Sequence, residues 1–119
     1  MLIALDQTVA EKIESAIRSI ENELVNENYE KVVALTKDSR LTAKDVETAL
    51  KNYSGKVTVA PGRVFDILEA IEISNFNPKA WAIDYDLWID GKRSDLTLSL
   101  TVSFVGDETI SSINNLHIL

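Results

Sequence analysis

The chain has no cysteine, which removes disulfides, thiolate metal sites and cysteine nucleophiles together. It has one histidine, His117, and no Gly-x-Ser-x-Gly elbow, so a serine triad lacks its parts. A lone histidine also leaves a zinc site short of nitrogen ligands. No apolar run approaches the roughly 18 residues that a membrane helix needs. Met1 to Asp6 carries no basic stretch and no apolar core before a cleavage site. No signal peptide is therefore expected, and the expected compartment is the cytoplasm. Repeats, low-complexity tracts and linkers are missing as well, so one domain is expected over residues 1–119.

Positive charge is the other shortage. Twelve Lys and Arg face 19 Asp and Glu, for a net charge of −7. The imbalance is concentrated late: residues 61–119 hold nine acids and four bases, against ten and eight in residues 1–60. Such a field disfavours nucleic-acid phosphates and anionic membranes and favours a basic partner. Acidity also serves plain solubility, so charge alone does not choose a function.

What is present begins with helices. Val9, Ile13, Ala16, Ile17, Ile20 and Leu24 form one stripe at helical spacing and predict a helix over 8–26. Thr8 and Glu11 have the spacing of a capping box. Lys12, Glu14, Arg18 and Glu21 read as its solvated face. A second helix is expected over 29–35 with Asn28 as N-cap. A third is expected over 43–53, with Thr42 and Asp45 at its box positions and Gly55 as its stop.

The middle of the chain is ambiguous. Residues 56–60 read as a short strand ending at Pro61-Gly62. Val64 to Ile73 fits both periods. The β-branched second half favours a turn to about residue 65 and then a strand to Ile73. A loop follows at 75–79.

The last third is the clearest. Trp81, Ile83, Tyr85, Leu87 and Ile89 alternate with Ala82, Asp84, Asp86 and Trp88, and Leu96 to Phe104 alternates in the same way. Period-two alternation gives each strand one apolar and one polar face. Strands are expected at 80–89, 95–105 and 109–118, the first two joined around Asp90-Gly91-Lys92, where Asp-Gly signals a hairpin. In the last strand the step from Ile110 to Ile113 breaks the alternation and suggests a bulge. Helices followed by a meander predict an α+β fold, with N-terminal helices packed on a curved antiparallel sheet.

The candidate site lies on the polar side of this hairpin. Asp84, Asp86, Asp90 and Asp95 surround it, and Trp88 shares a face with the first two. Oxygen ligands of this kind suit Ca²⁺ or Mg²⁺, but the spacing is not that of an EF-hand, and Lys92 and Arg93 can neutralise the cluster. No metal and no cofactor is therefore expected. An outward Trp beside carboxylates suits a protein partner, because indole buries a large area and stacks on Arg or Lys; the alternative is that other parts of the chain cover it. No acid points inward from the strands, except Glu69 if residues 65–73 form a strand, where it shares a face with Ile67 and Ile71. That argues against acid–base catalysis in an inner pocket, and the protein is expected not to be an enzyme. His117, between Leu116 and Ile118, is expected to face outward.

Two resemblances add to this. The phrase Asn28 to Leu35 resembles the second helix of the nuclear-transport-factor-2-like (NTF2-like, cystatin-like) cone, which implies helices wrapped by long curved strands. Asp86-Leu87-Trp88, Gly91 to Leu100 and the terminal Leu116 to Leu119 resemble a small bacterial family of uncharacterised domains sharing an LW…GRSDLTL hairpin and an HVL-like end. Here Lys92 interrupts the Gly-Arg pair and Ile118 replaces Val. Small acidic domains of this kind are similar to immunity proteins of polymorphic toxin and contact-dependent growth inhibition systems. That resemblance implies a cognate basic nuclease toxin as partner, met by Asp84, Asp86, Trp88, Asp90 and Asp95, with oligomeric state open. The alternative is an NTF2-like binder or enzyme, with Tyr85 lining a pocket between helices and sheet.

Overall fold

The first helix, α1 (Gln7–Val25), buries Ile13, Ile17, Ile20 and Leu24, the stripe that its sequence spacing requires. The computed structural model describes residues 5–73 and 79–118. Asp6, not Thr8, caps α1: its carboxylate accepts from the Thr8 N–H at 2.9 Å, while Glu11 accepts from Gln7 instead of closing a box. The second helix, α2 (Tyr29–Ala34), has Asn28 at its N-cap position without a side-chain capping bond; the Asn28 amide donates to Glu23. The third, α3 (Ala43–Tyr53), has the full capping box of Thr42 and Asp45. That pair holds the Asp45 carboxyl below its ordinary pKa, through the backbone N–H of Thr42 first. Among the described residues no helix is long and apolar enough to cross a membrane.

The middle of the chain departs from expectation. Only β1 (Val57–Thr58) forms from the strand expected at 56–60. The strand expected up to Ile73 is instead a single helical turn, α4 (Val64–Ile67), followed by β2 (Ala70–Glu72). Tertiary context decides the ambiguous period here. Phe65 is fully buried and stacks on Tyr85 at 5.7 Å, which a helical turn permits while leaving Ile67 outside. Most of the loop expected at 75–79 lies outside the described residues.

The sheet is an antiparallel meander, β3 (Ala80–Ile89), β4 (Lys92–Val105) and β5 (Glu108–Ile118), in the order β1-β3-β4-β5, with β2 also paired to β3. Ile89 pairs with Lys92, so the β3–β4 turn is just Asp90-Gly91; both have positive φ, 51° and 78°, as a type I′ turn demands. Trp81, Ile83, Tyr85 and Leu87 of β3 and Leu96, Leu98, Leu100 and Val102 of β4 point into one core with α1, Val46, Phe65 and Ile113. The fold is α+β, with helices against one face of an open antiparallel sheet.

The irregularity of β5 is displaced from its expected place. Pairing is regular from Thr109 to Ile113, and the extra residue is Asn114, between the Leu100–Ile113 and Ser99–Asn115 pairs. The bulge brings both Ile113 and Leu116 inward. Ile110, opposite Ser103, falls on the other face, and Ser111 takes its inward place. Ile118 is exposed.

Candidate functional site

The outward residues of β3 form rows with β4 and β5. Asp84 lies opposite Ser99, which lies opposite Asn115; Asp86 lies opposite Thr97, which lies opposite His117. Ser99 donates to Asp84 Oδ1 and Thr97 to Asp86 Oδ1, both at 2.7 Å. A register slip beyond Asp86 places Arg93 opposite Trp88. Arg93 then donates from Nε at 2.9 Å and Nη2 at 2.6 Å to Asp86 Oδ2. Trp88 is half-buried, and the guanidinium of Arg63 lies 5.8 Å from its ring centroid. The indole Nε1 and the His117 Nδ1 are covered and have no hydrogen-bond partner among the described residues.

Asp84, Asp86 and Trp88 are thus brought together on one face. Asp90 and Asp95 make contacts of a different kind. The Asp90 carboxylate accepts from the Lys56 N–H at 3.0 Å, and its own N–H donates to the Lys56 carbonyl at 2.8 Å. These bonds tie the hairpin to the exit of α3, where Gly55 has φ +100° and any Cβ would meet Ile89 at 2.5 Å. Asp95 accepts from the Tyr53 hydroxyl at 2.7 Å, tying β4 to the end of α3. That bond is also the main cause of the raised pKa of Tyr53.

Beside Trp88 the outward face is concave. A hollow of about 250 Å³ is lined by Val64, Ile67 and Leu68 on one side and Asp84, Asp86 and Trp88 on the other. A second of about 250 Å³ joins Ile71 and Ala82 to Glu69 and Asp84, which line both. Ile67 and Ile71 are 70% and 64% exposed beside them. Glu69 is exposed rather than inward, because the turn of α4 ends the chain's alternation before it. A strand reading of residues 65–73 puts Glu69 on one face with Ile67 and Ile71, but periodicity had no means of turning that face outward.

The inner face holds a group that the sequence placed wrongly. Glu21 is 2% exposed, not part of a solvated surface. Its carboxylate accepts from the Tyr85 hydroxyl at 2.5 Å, from Arg18 at 2.6 Å and from the Ala60 N–H at 3.3 Å. Arg18 also donates to the Ala60 carbonyl at 2.8 Å and lies 4.5 Å from the Phe65 ring centroid. Burial first, and the bond to Glu21 second, push the Tyr85 hydroxyl far above its ordinary pKa. The signal was present in the sequence: position 21 follows Ile17 by four and precedes Leu24 by three, which puts it on the apolar stripe.

A hollow of about 620 Å³ lies between α2 and α3. Its lining is mostly polar helix surface, with Glu27, Glu30, Lys31, Lys44 and Glu47, and Glu47 is engaged by Lys44 and Lys51. Small-molecule sites are mainly apolar with a few polar groups, so this cleft lacks their character. Among the described residues no three His, Asp or Glu side chains stand where they could hold a metal ion.

A family model described as a domain of unknown function (DUF7668) matches residues 22–119, and the chain belongs to that family. No curated protein and no solved structure matches it.

Proposed function

We propose that this DUF7668 protein is a cytoplasmic immunity protein that binds and neutralises a basic nuclease toxin domain through the outward face of β3 and β4. The observation that carries the reading is that Asp84, Asp86 and Trp88 share one accessible face while the inward side is packed solid. Carboxylates on such a face steer a basic partner and raise the association rate. A half-buried indole at the hairpin end of this face supplies the area that resists dissociation. A nuclease grips phosphates with basic side chains, so an acidic face laid over them competes with its substrate.

The second reading, a small-molecule binder or enzyme, would need space between helices and sheet. Tyr85, Phe65 and Ile83, which would line it, are at most 1% exposed, and the Tyr85 hydroxyl ends on Glu21. No observation favours that reading.

The test uses the purified protein and a basic nuclease domain encoded beside it as the C-terminus of a large secreted protein. Co-expression is expected to restore growth, and the two are expected to form a complex. Asp84→Asn with Asp86→Asn should slow association and flatten its salt dependence. Trp88→Ala should speed dissociation, at a cost of about 2 kcal/mol or more. Trp88→Phe, which keeps a ring, should cost less, and circular dichroism checks that each variant folds. No complex and no protection would overturn the proposal; a complex whose rates none of these variants changes would remove this face from it.

A further inference from the structure

The two hollows that share Glu69 and Asp84 form one groove along the outward face of β3, from Ala82 to Trp88. Six residue steps of strand span about 20 Å, the reach of a short extended peptide. Each hollow, at about 250 Å³, is below the roughly 300–1,000 Å³ of small-molecule pockets. Two small hollows set side by side along a strand suit successive side chains of a chain laid along it.

Its chemistry selects the side chain. Around the Trp88 hollow stand three carboxylates, Glu69, Asp84 and Asp86, and one lining cation, Arg93. Asp86 is already held by two Arg93 nitrogens and Thr97. Asp84 has only the Ser99 hydroxyl, through Oδ1, and Glu69 makes no hydrogen bond or ion pair among the described residues. Unmatched negative charge thus remains at the point where the hollows meet. The protein's own arginines show what this surface accepts: Arg93 grips Asp86, and Arg63 lies against the Trp88 ring. A planar guanidinium suits both partners, carboxylate and indole face.

The geometry points to a binding groove for an extended, arginine-bearing segment of the partner protein. One arginine sits between Glu69 and Asp84, and flanking apolar side chains rest on Ile67 and Ile71. This rests on the proposed protein-binding role of the outward face and specifies what that face takes.

The probe is a blocked hexapeptide with a single arginine among valines and threonines, titrated into ¹⁵N-labelled protein. A citrulline peptide keeps the shape of the arginine and removes its charge. The arginine peptide is expected to shift the Trp88 indole resonance and the amides of residues 82–88, and to bind about tenfold more tightly than the citrulline peptide. Glu69→Gln with Asp84→Asn should abolish that preference. Both residues are exposed, so these variants are expected to stay folded. Equal binding of the two peptides, a preference that survives the double variant, or shifts confined to the α2–α3 cleft would overturn the groove. Measurements against the toxin domain separate the two ideas. Wild-type protein that shows no peptide preference, while Asp84→Asn with Asp86→Asn still slows toxin association, sinks the groove and leaves the outward face standing. Peptide preference without any toxin binding keeps the groove and sinks the immunity reading.

Discussion

The sheet carries the same trio of groups on its two sides, in opposite surroundings. Inside, Arg18 and the Tyr85 hydroxyl hold the Glu21 carboxylate; outside, Arg93 and the Thr97 hydroxyl hold the Asp86 carboxylate. The Arg–carboxylate distance is 2.6 Å in both. The difference is water. The Glu21 side chain is 2% exposed and Arg18 27%, against 24% for Asp86 and 69% for Arg93. In the interior a carboxylate depends on its partners, because loss of one leaves a charge that water cannot reach. At the surface, solvent screens the pair and replaces whichever partner leaves. The inner trio therefore belongs to the fold: it fastens Ala60 by both its N–H and its carbonyl and so sets the path of the chain into α4. The outer trio can be opened by another protein at small cost, which is what an interface requires.

The largest effect should come from breaking the inner trio. Arg18→Met leaves the stem and removes the charge that faces Glu21. We expect a loss of about 3 kcal/mol or more, read from the midpoint of urea unfolding at unchanged slope. A loss below about 1 kcal/mol would mean that Tyr85 and the Ala60 N–H suffice for Glu21, and the comparison would lose its basis.

Next in size is Tyr85→Phe, about 1–3 kcal/mol at neutral pH, for a buried hydrogen bond to a carboxylate. This variant also carries a pH signature. The folded state raises the Tyr85 pKa above its value in the unfolded chain, which is about 10. The stability linked to that shift is fully present below pH 10 and is lost as pH rises above it. Wild type should therefore lose stability between about pH 10 and 12, and Tyr85→Phe should lose less over the same range. Parallel curves for the two proteins would show that the Tyr85 proton is not coupled to folding.

How much of this was legible in the sequence follows the same division. Strict alternation over residues 80–89 predicted β3 and the sharing of a face by Asp84, Asp86 and Trp88, because strand parity is a local property. Asp90-Gly91 predicted its turn for an equally local reason, and Thr42 with Asp45 predicted the start of α3. The failures are tertiary. Glu21 looked solvated because a charged residue three positions from Arg18 usually is; its place on the apolar stripe hinted at burial, but the partner that explains it, Tyr85, lies 64 residues away. The segment 64–73 satisfied two periods, and only the packing of Phe65 on Tyr85 decided between them. The groove was invisible for that reason, since one of its walls is α4. Asp90 and Asp95 looked like members of an acidic cluster, but the contacts with Lys56 and Tyr53 come from α3 and the chain leaving it, which no pattern in the hairpin reports.

The smallest effect is expected outside, and it sharpens the comparison most. Arg93→Met is the surface counterpart of Arg18→Met. It removes a guanidinium that grips its carboxylate with two nitrogens where Arg18 uses one, the shortest contact being 2.6 Å in both, but Asp86 keeps the Thr97 hydroxyl and gains water. The cost should lie below about 1 kcal/mol and shrink further in high salt, where exposed pairs are screened. Stability is thus expected to separate the two arginines by several-fold. Binding should reverse their order of interest: Arg93→Met leaves Asp86 unpaired and makes the outward face one charge more negative. Association with a basic partner should then become faster and more salt-sensitive. The measurement pairs urea unfolding with binding kinetics at several salt concentrations. If Arg93→Met instead destabilises the fold as much as Arg18→Met, the outer trio is also part of the structure. Asp86 would then be fixed rather than free to meet a partner, and the interface would have to rest on Asp84, Glu69 and Trp88 alone.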